Sequence, residues 1–415
     1  MTETLAATSA EPINLAGVPK FPFAVRDDDP IVPSLDPGDG STRDRVSRVL
    51  LPTGAWAWLV THHEDVRQML RSPAFSSDAF RPGFPLLREL PPPDERASAG
   101  AFIRMDPPDH TMYRRILTPE FMIKNMRRLE PLIRQTVVEA LDAMRAAGSP
   151  ADLVESFALP VPSMVICHLL GVPYADHDFF QRHSRVLLSR STPMSEIRVA
   201  IDELRGYLDT LVDRKIREGG SDDLVGRLAV ERVATGQMTP FELVGVALLL
   251  LIAGHETTAN MIGLSTLVLL QHPEQLAQLR AKPELIDDAV EELLRYLTIV
   301  RTGLPRLATA DVEIGGQLIR AGEGAIAMLP SANRDSEVFT EPDGFDIDRG
   351  SHQHMAFGFG VHQCIGQPLA RSEMRIAMLE LVQRFPNLAL AIPPSEVEVR
   401  GDSVVFGVQR LPVTW

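Results

Sequence analysis

Apolar and polar positions follow two rhythms along this chain. Near the start they alternate: Arg48–Leu51 and Trp56–Val60 flank Pro52-Thr53-Gly54, which predicts a β-hairpin. Glu64–Leu70 reads as a short helix. Residues 72–103 hold six prolines and no period, which predicts a long loop of the kind that walls a binding site. From Thr111 to about Leu297 helical spacing dominates. Alternation returns in Val312–Ile319, with Gly315-Gly316 as the turn, and in Ala325–Leu329. A last helix is predicted over Gln367–Phe385, and terminal strands over Val397–Arg400 and Val404–Val413. The first 44 residues are rich in Pro, Asp and Gly and read as an extended segment.

One helix stands apart. Thr239-Pro240-Phe241-Glu242 carries a capping Thr, a Pro at the first helical position and a Glu that completes a capping box. The pattern then runs to about Gln271, roughly 30 residues or about 45 Å. Its first half is apolar on all sides, as in a buried central helix. In its middle lies Ala253-Gly254-His255-Glu256-Thr257-Thr258. A carboxylate buried there is costly without a partner, and Gly254 weakens the helix by about 1 kcal/mol relative to Ala. Two readings stand. The hydroxyl back-bonds to its own helix while the carboxylate points to solvent, or the pair moves protons at a reaction site.

Composition narrows the classes. At 415 residues the chain is longer than an average domain and suggests two or three. Apolar residues make up 45%, enough for a sizeable core, and a net charge of −14 argues against a nucleic-acid partner. One stretch departs from that balance: Arg104–Arg134 carries seven Arg or Lys against four Asp or Glu. It is either a solvated helix face or a docking face for an acidic carrier. Two cysteines, Cys167 and Cys364, make no disulfide framework and fit a reducing cytoplasm. Cys167 reads as core packing. No signal peptide is visible, and the longest apolar run, Val244 to Gly254, is too short to span a bilayer.

The most informative segment is Phe357-Gly358-Phe359-Gly360-Val361-His362-Gln363-Cys364-Ile365-Gly366, one thiol in a glycine-rich loop ahead of a helix. Alone it is compatible with a structural cysteine. With His352, His354 and His362, Cys364 could supply four zinc ligands, but no tight ligand pair is present. A dinucleotide fingerprint fails because Gln363 stands where the third glycine belongs. A thiolate in such a loop can also ligate heme iron, with small residues letting the backbone approach the macrocycle. The full pattern F-x-x-G-x-x-x-C-x-G, continued by Gln367-Pro368-Leu369-Ala370-Arg371, resembles the heme-binding signature of the cytochrome P-450 family. Ala253-Gly254-x-Glu256-Thr257 resembles that family's distal-helix motif with Glu for the commoner Asp. Glu292-Leu293-Leu294-Arg295, otherwise an ordinary i, i+3 ion pair, resembles its E-x-x-R motif. The third partner of that motif is open, because Gly344 stands where many members have Arg; Arg334 and Arg349 are candidates. The resemblance spans about residue 45 to Trp415.

That resemblance implies a mainly α fold with a small β region, the long central helix lying over heme b, and one catalytic domain over 45–415. It implies that Cys364 ligates the iron, with Phe357, Gly358 and Gly366 shaping the loop. Ala253 and Gly254 leave room for dioxygen, while Thr257 and Glu256 handle protons. His110, Arg114, Arg306 and His362 sit at positions that hold the heme propionates. The pocket is expected to draw on the 72–103 loop, residues 177–205, Leu249, Ala253, Val300, Thr302, Val405 and Phe406. These largely aliphatic residues suit a medium-to-large apolar substrate such as a polyketide, macrolide, terpenoid or steroid. The implied reaction is monooxygenation with O2 and electrons from NAD(P)H through a ferredoxin reductase and a ferredoxin. A heme binder or sensor without turnover is the alternative. The expected location is the cytoplasm.

Overall fold

The computed structural model describes residues 17–26, 29–35, 44–90 and 99–415. Its longest helix is the predicted one, Pro240–Gln271, closed by the predicted capping box: Thr239 Oγ1 accepts from the Glu242 N–H at 3.2 Å and the Thr239 N–H donates to Glu242 Oε2 at 2.7 Å. This central helix packs against Pro160–Leu170, Met194–Arg217 and Gln367–Arg384. By length and composition it could cross a membrane, yet 61% of its most apolar window is buried inside the fold. Close approach explains one of its glycines. A Cβ at Gly245 would stand 1.7 Å from the Ala99 carbonyl oxygen, so the end of the 72–103 loop lies directly on this helix.

The hairpin forms as predicted from β1 (Val46–Leu50) and β2 (Trp56–Val60). It opens a five-stranded sheet that also contains β3 (Phe75–Ser76), β5 (Leu304–Ala308) and β8 (Gly324–Ala327), in the order β1-β2-β8-β5-β3. β2 and β8 run parallel, and the other pairs are antiparallel. Neither β3 nor β5 is signalled by pattern. β3 is two residues long, and β5 carries Pro305, which argues against a strand interior. The β6–β7 hairpin (Val312–Ile314, Gln317–Ile319) turns at Gly315-Gly316 as expected. A third sheet joins β4 (Ala151–Asp152), β10 (Pro412–Thr414) and β9 (Ala389–Leu390). The terminal strands are shorter than predicted: β10 is the only one, and Val399 and Val408 meet in an isolated bridge.

One hydrophobic core runs from Ile31 to Val413, with two smaller clusters around the five-stranded sheet. The described parts of the expected N-terminal segment are docked on that body. Phe21 and Ile31 are buried, Lys20 bridges to Leu50, and Arg301 donates to the carbonyls of Pro30, at 2.9 Å, and Ile31.

Candidate active site

Cys364 sits between a turn at Gly360–His362 and the helix Gln367–Arg384. Its N–H donates to the Phe357 carbonyl at 2.9 Å, closing the loop. Gly358 and Gly360 have φ of 69° and 74°, and a Cβ at Gly360 would stand 2.3 Å from the Leu70 carbonyl oxygen. The loop therefore requires glycine there, whereas Gly366 leaves open the approach to Cys364 Sγ. The Arg371 guanidinium covers the Phe357 ring at 4.6 Å. Burial pushes the Cys364 thiol up. The N–H of Gly366, the charge of Arg114, the N–H of Gln367 and the charge of Arg371 oppose it. Although deep, the thiol remains accessible, so it faces an internal space. A deep sulfur that receives two N–H groups suits a metal-bound thiolate.

Four predicted residues from three segments meet at one edge of that space. The rings of His110 and His362 lie 4.0 Å apart, Arg114 donates to the Gln363 carbonyl at 2.8 Å, and Arg306 arrives on β5. Burial, then Arg306, His110 and Arg114, push His362 down to about 3. Burial and Arg114 hold His110 at about 4 despite Asp106, and burial lowers Arg306 to about 10. Both ring nitrogens of His110 are buried without a partner. Two guanidinium cations beside two neutral imidazoles, with both ring nitrogens of His110 unused, fit the two carboxylates of a heme.

The central helix carries an accessible stripe of its own. In an otherwise buried run, Leu249, Ile252, Ala253, Gly254 and Thr257 are at least partly accessible, at helical spacing. Thr257 Oγ1 donates to the Ala253 carbonyl at 2.6 Å, the back-bonded state, which leaves its lone pairs free to accept. Gly254 also has a packing role: a Cβ there would stand 2.6 Å from Ile166 Cδ1, so its smallness serves contact with the helix Pro160–Leu170. Glu256 does not point into solvent. It is 2% exposed, and its Oε2 accepts from Arg400 Nη1 at 3.1 Å while Oε1 has no partner. Beyond this pair opens a polar cavity of about 830 Å³ that includes Gln181, Arg185 and Asp402. Arg400 carried no sequence signal, because it sits in a stretch read as strand.

Of the expected pocket residues, Leu249 and Val300 keep accessible surface, while Thr302 and Val405 are nearly covered. Phe406 is 2% exposed, with one face under the Arg301 guanidinium at 3.2 Å. Glu292 and Arg295 are fully buried and form a two-pronged pair at 2.7 and 2.8 Å. The third partner is Arg349, whose Nε donates to Glu292 Oε1 at 3.1 Å; Arg334 turns instead to the Tyr296 carbonyl. The zinc reading fails on geometry. His352 faces Asp288, His354 faces Glu291 and His362 faces His110, and among the described residues no metal-holding group of His, Cys, Asp or Glu forms.

Comparison with known proteins agrees with this arrangement. The family model described as cytochrome P450 matches residues 176–394. Cytochrome P450-SU2 of Streptomyces griseolus is 50% identical over 391 residues, 93% of this chain and 94% of its own. Pentalenic acid synthase of Streptomyces avermitilis is 50% identical over 370 residues, 89% of this chain and 91% of its own. Among solved structures, the mycinamicin VIII C21 methyl hydroxylase of Micromonospora griseorubida superposes with a TM-score of 0.84 at 42% identity, covering 90% and 94% of the two chains. CYP105P1 in complex with filipin I gives 0.88 at 40%, covering 96% and 99%. A thiol cradle, a cationic edge and a polar break in a buried helix thus sit in a chain of the same length and fold as these relatives, and the chain belongs to the cytochrome P450 family of heme monooxygenases.

Proposed function

We propose that this enzyme inserts one oxygen atom of O2 into a medium-to-large, mainly apolar secondary metabolite, with Cys364 as the thiolate ligand of heme b. The carrying observation is the accessible Cys364 thiol in its glycine loop, in a fold whose central helix keeps an accessible stripe at Leu249, Ala253 and Thr257. Bound heme supplies oxygen activation, which an anionic sulfur ligand favours. His110, Arg114, Arg306 and His362 hold its carboxylates. Thr257 offers lone pairs over the open face, and Glu256, held by Arg400 at the polar cavity, passes protons inward from water. Leu249, Ala253, Val300, Thr302 and Val405 shape the pocket. Macrolide and terpenoid-type scaffolds are supported by relatives whose names point to mycinamicin, filipin and pentalenic acid.

Electrons come from NAD(P)H through a ferredoxin reductase and a ferredoxin in the cytoplasm. The carrier docks on the Cys364 side, where Arg115, Lys124, Arg127 and Arg128 are exposed around Met122, Ile123 and Val361. The basic stretch is thus a partial face, since Arg114 turns inward to the Gln363 carbonyl. The test is the absorption spectrum of the dithionite-reduced protein under carbon monoxide. A strongly red-shifted Soret band is expected. A band typical of histidine-ligated heme would remove the Cys364 assignment. Binding without turnover would leave the Glu256–Thr257 pair without a use, and product formation with a ferredoxin system separates the two.

A further inference from the structure

Arg400 sits on a short turn whose other end is fastened to a different part of the fold. The turn closes through the Ser403 N–H, which donates to the Arg400 carbonyl at 3.4 Å, while the Arg400 N–H donates to the Gly407 carbonyl at 2.7 Å. The Arg400 guanidinium, 19% exposed, is the one that bonds to the buried Glu256 carboxylate. The neighbouring His255 does not share that task. Its Nε2 stands 3.9 Å from Glu256 Oε1, beyond hydrogen-bond reach, and burial lowers its pKa so that the imidazole is neutral. The position of Arg400 therefore decides how the Glu256 carboxylate is held at the edge of the polar cavity.

Two residues further on, Asp402 clasps the loop between the helices His177–Leu188 and Met194–Arg217. Its Oδ2 accepts from the hydroxyls of Ser189 at 2.9 Å and Ser191 at 2.7 Å. Its carbonyl accepts from the Arg190 N–H at 2.9 Å, and Arg190 Nη2 donates to the Gly401 carbonyl at 2.6 Å. The Val404 N–H donates to the Leu188 carbonyl at 2.9 Å, and Ser189 bridges to Ser403. Arg88 secures the same helix end by donating to the carbonyls of Leu187 at 2.9 Å and Ser189 at 2.6 Å. Leu188, Ser189, Glu256, Arg400 and Asp402 all line the one cavity of about 830 Å³. Clasp and carboxylate thus border a single space and are joined by one short turn.

We propose that Asp402 is a positioning residue for proton delivery: by clasping Ser189 and Ser191 it fixes the 400–403 turn and so keeps Arg400 on Glu256. This deepens the proposed monooxygenation and rests on that reading of Glu256. The clasped loop joins the two helices that the pocket reading assigns to the substrate wall. A substrate that displaces those helices pulls on the turn, and Arg400 carries the displacement to the carboxylate that handles protons. Every link in this chain is a hydrogen bond or a covalent neighbour, so substrate and Glu256 need not touch.

Two measurements on the heme-loaded enzyme test this. Hydrogen exchange reads the clasp: Asp402→Ala should speed exchange of the Arg190 and Val404 amides together, by about 10-fold. The solvent deuterium isotope effect on NAD(P)H consumption in air, at saturating ferredoxin, reads proton delivery. It should grow in Asp402→Ala and in Arg400→Gln, and the double variant should match Arg400→Gln alone, because both changes act through one contact. Ser189→Ala with Ser191→Ala opens the clasp from the loop side and should repeat the Asp402→Ala result. Ser189→Thr with Ser191→Thr keeps both hydroxyls and should behave as wild type. Amides that keep their exchange rate, an isotope effect unchanged where the amides exchange faster, or effects of Asp402→Ala and Arg400→Gln that add would each overturn the proposal. Glu256→Gln separates the two layers: an isotope effect unchanged there faults the proton reading of Glu256 itself, and the clasp loses its role with it.

Discussion

Glu373, on the helix after Cys364, is enclosed, with the Thr258 hydroxyl the side chain that acts on its carboxyl and no cation to offset burial. Burial pushes its carboxyl from 4.5 up to about 8. The folded group therefore stays protonated through neutral pH while the unfolded group ionises near 4.5. The sign follows: the unfolded chain sheds the proton first, so the stability contribution is complete below about 4.5 and is lost as pH rises toward about 8. Between pH 6 and pH 8 the loss is about 1.4 kcal/mol per unit, or about 2.7 kcal/mol in all. Glu373→Gln removes this titration while keeping the shape. At about 2.1 cal/mol/K per residue, a chain of 415 residues shifts its melting temperature by about 1 °C per kcal/mol. The difference in Tm between variant and wild type should thus grow by about 3 °C from pH 6 to pH 8, in favour of the variant. Scanning calorimetry of the heme-loaded proteins in matched buffers reads it. Parallel curves would show that Glu373 is ionised in the folded state and would refute the reasoning.

Three further outcomes follow. Thr257→Ala should retain heme and substrate binding but release reduced oxygen as peroxide or water, so product formed per NAD(P)H consumed falls; full coupling would remove Thr257 from proton delivery. Gly254→Ala should destabilise by about 1–3 kcal/mol through overlap with Ile166, and Ile166→Ala in the same chain should restore the loss in part, read by thermal unfolding. Arg349→Leu leaves the Glu292 carboxylate with one guanidinium instead of two and should cost about 2–4 kcal/mol, with faster heme loss visible as Soret bleaching. A variant as stable as the wild type would demote Arg349 to a bystander.

Chain pattern carried local structure well where a few side chains decide it. Thr239 and Glu242 fix the start of the central helix because their bonds are local, and Gly315-Gly316 fix a hairpin for the same reason. The Cys364 loop was legible because its glycines answer backbone demands, at Gly360 from Leu70. What pattern missed depends on distant partners. The packing role of Gly254 shows only once Ile166 is placed beside it, and Arg400 is an ordinary arginine until the fold carries it to Glu256. β3 hides because it is a two-residue edge strand and β5 because Pro305 interrupts its pattern, so both are held by their neighbours rather than by alternation.

Arg301 binds the fates of two regions that are far apart in sequence. Its guanidinium holds the carbonyls of Pro30 and Ile31 and covers Phe406, while its chain neighbours Val300 and Thr302 are residues we propose for the pocket. If the proposed pocket lies at residues 300–302, the N-terminal strap formed by the described residues 29–35 is linked to ligand occupancy through Arg301. A substrate that orders residues 300–302 also tightens the strap, and by reciprocity an intact strap raises affinity for that substrate. Protease resistance around residues 29–35 thus becomes a reporter of what the pocket holds, and trimming the chain to residue 45 would change selectivity without touching a single pocket side chain.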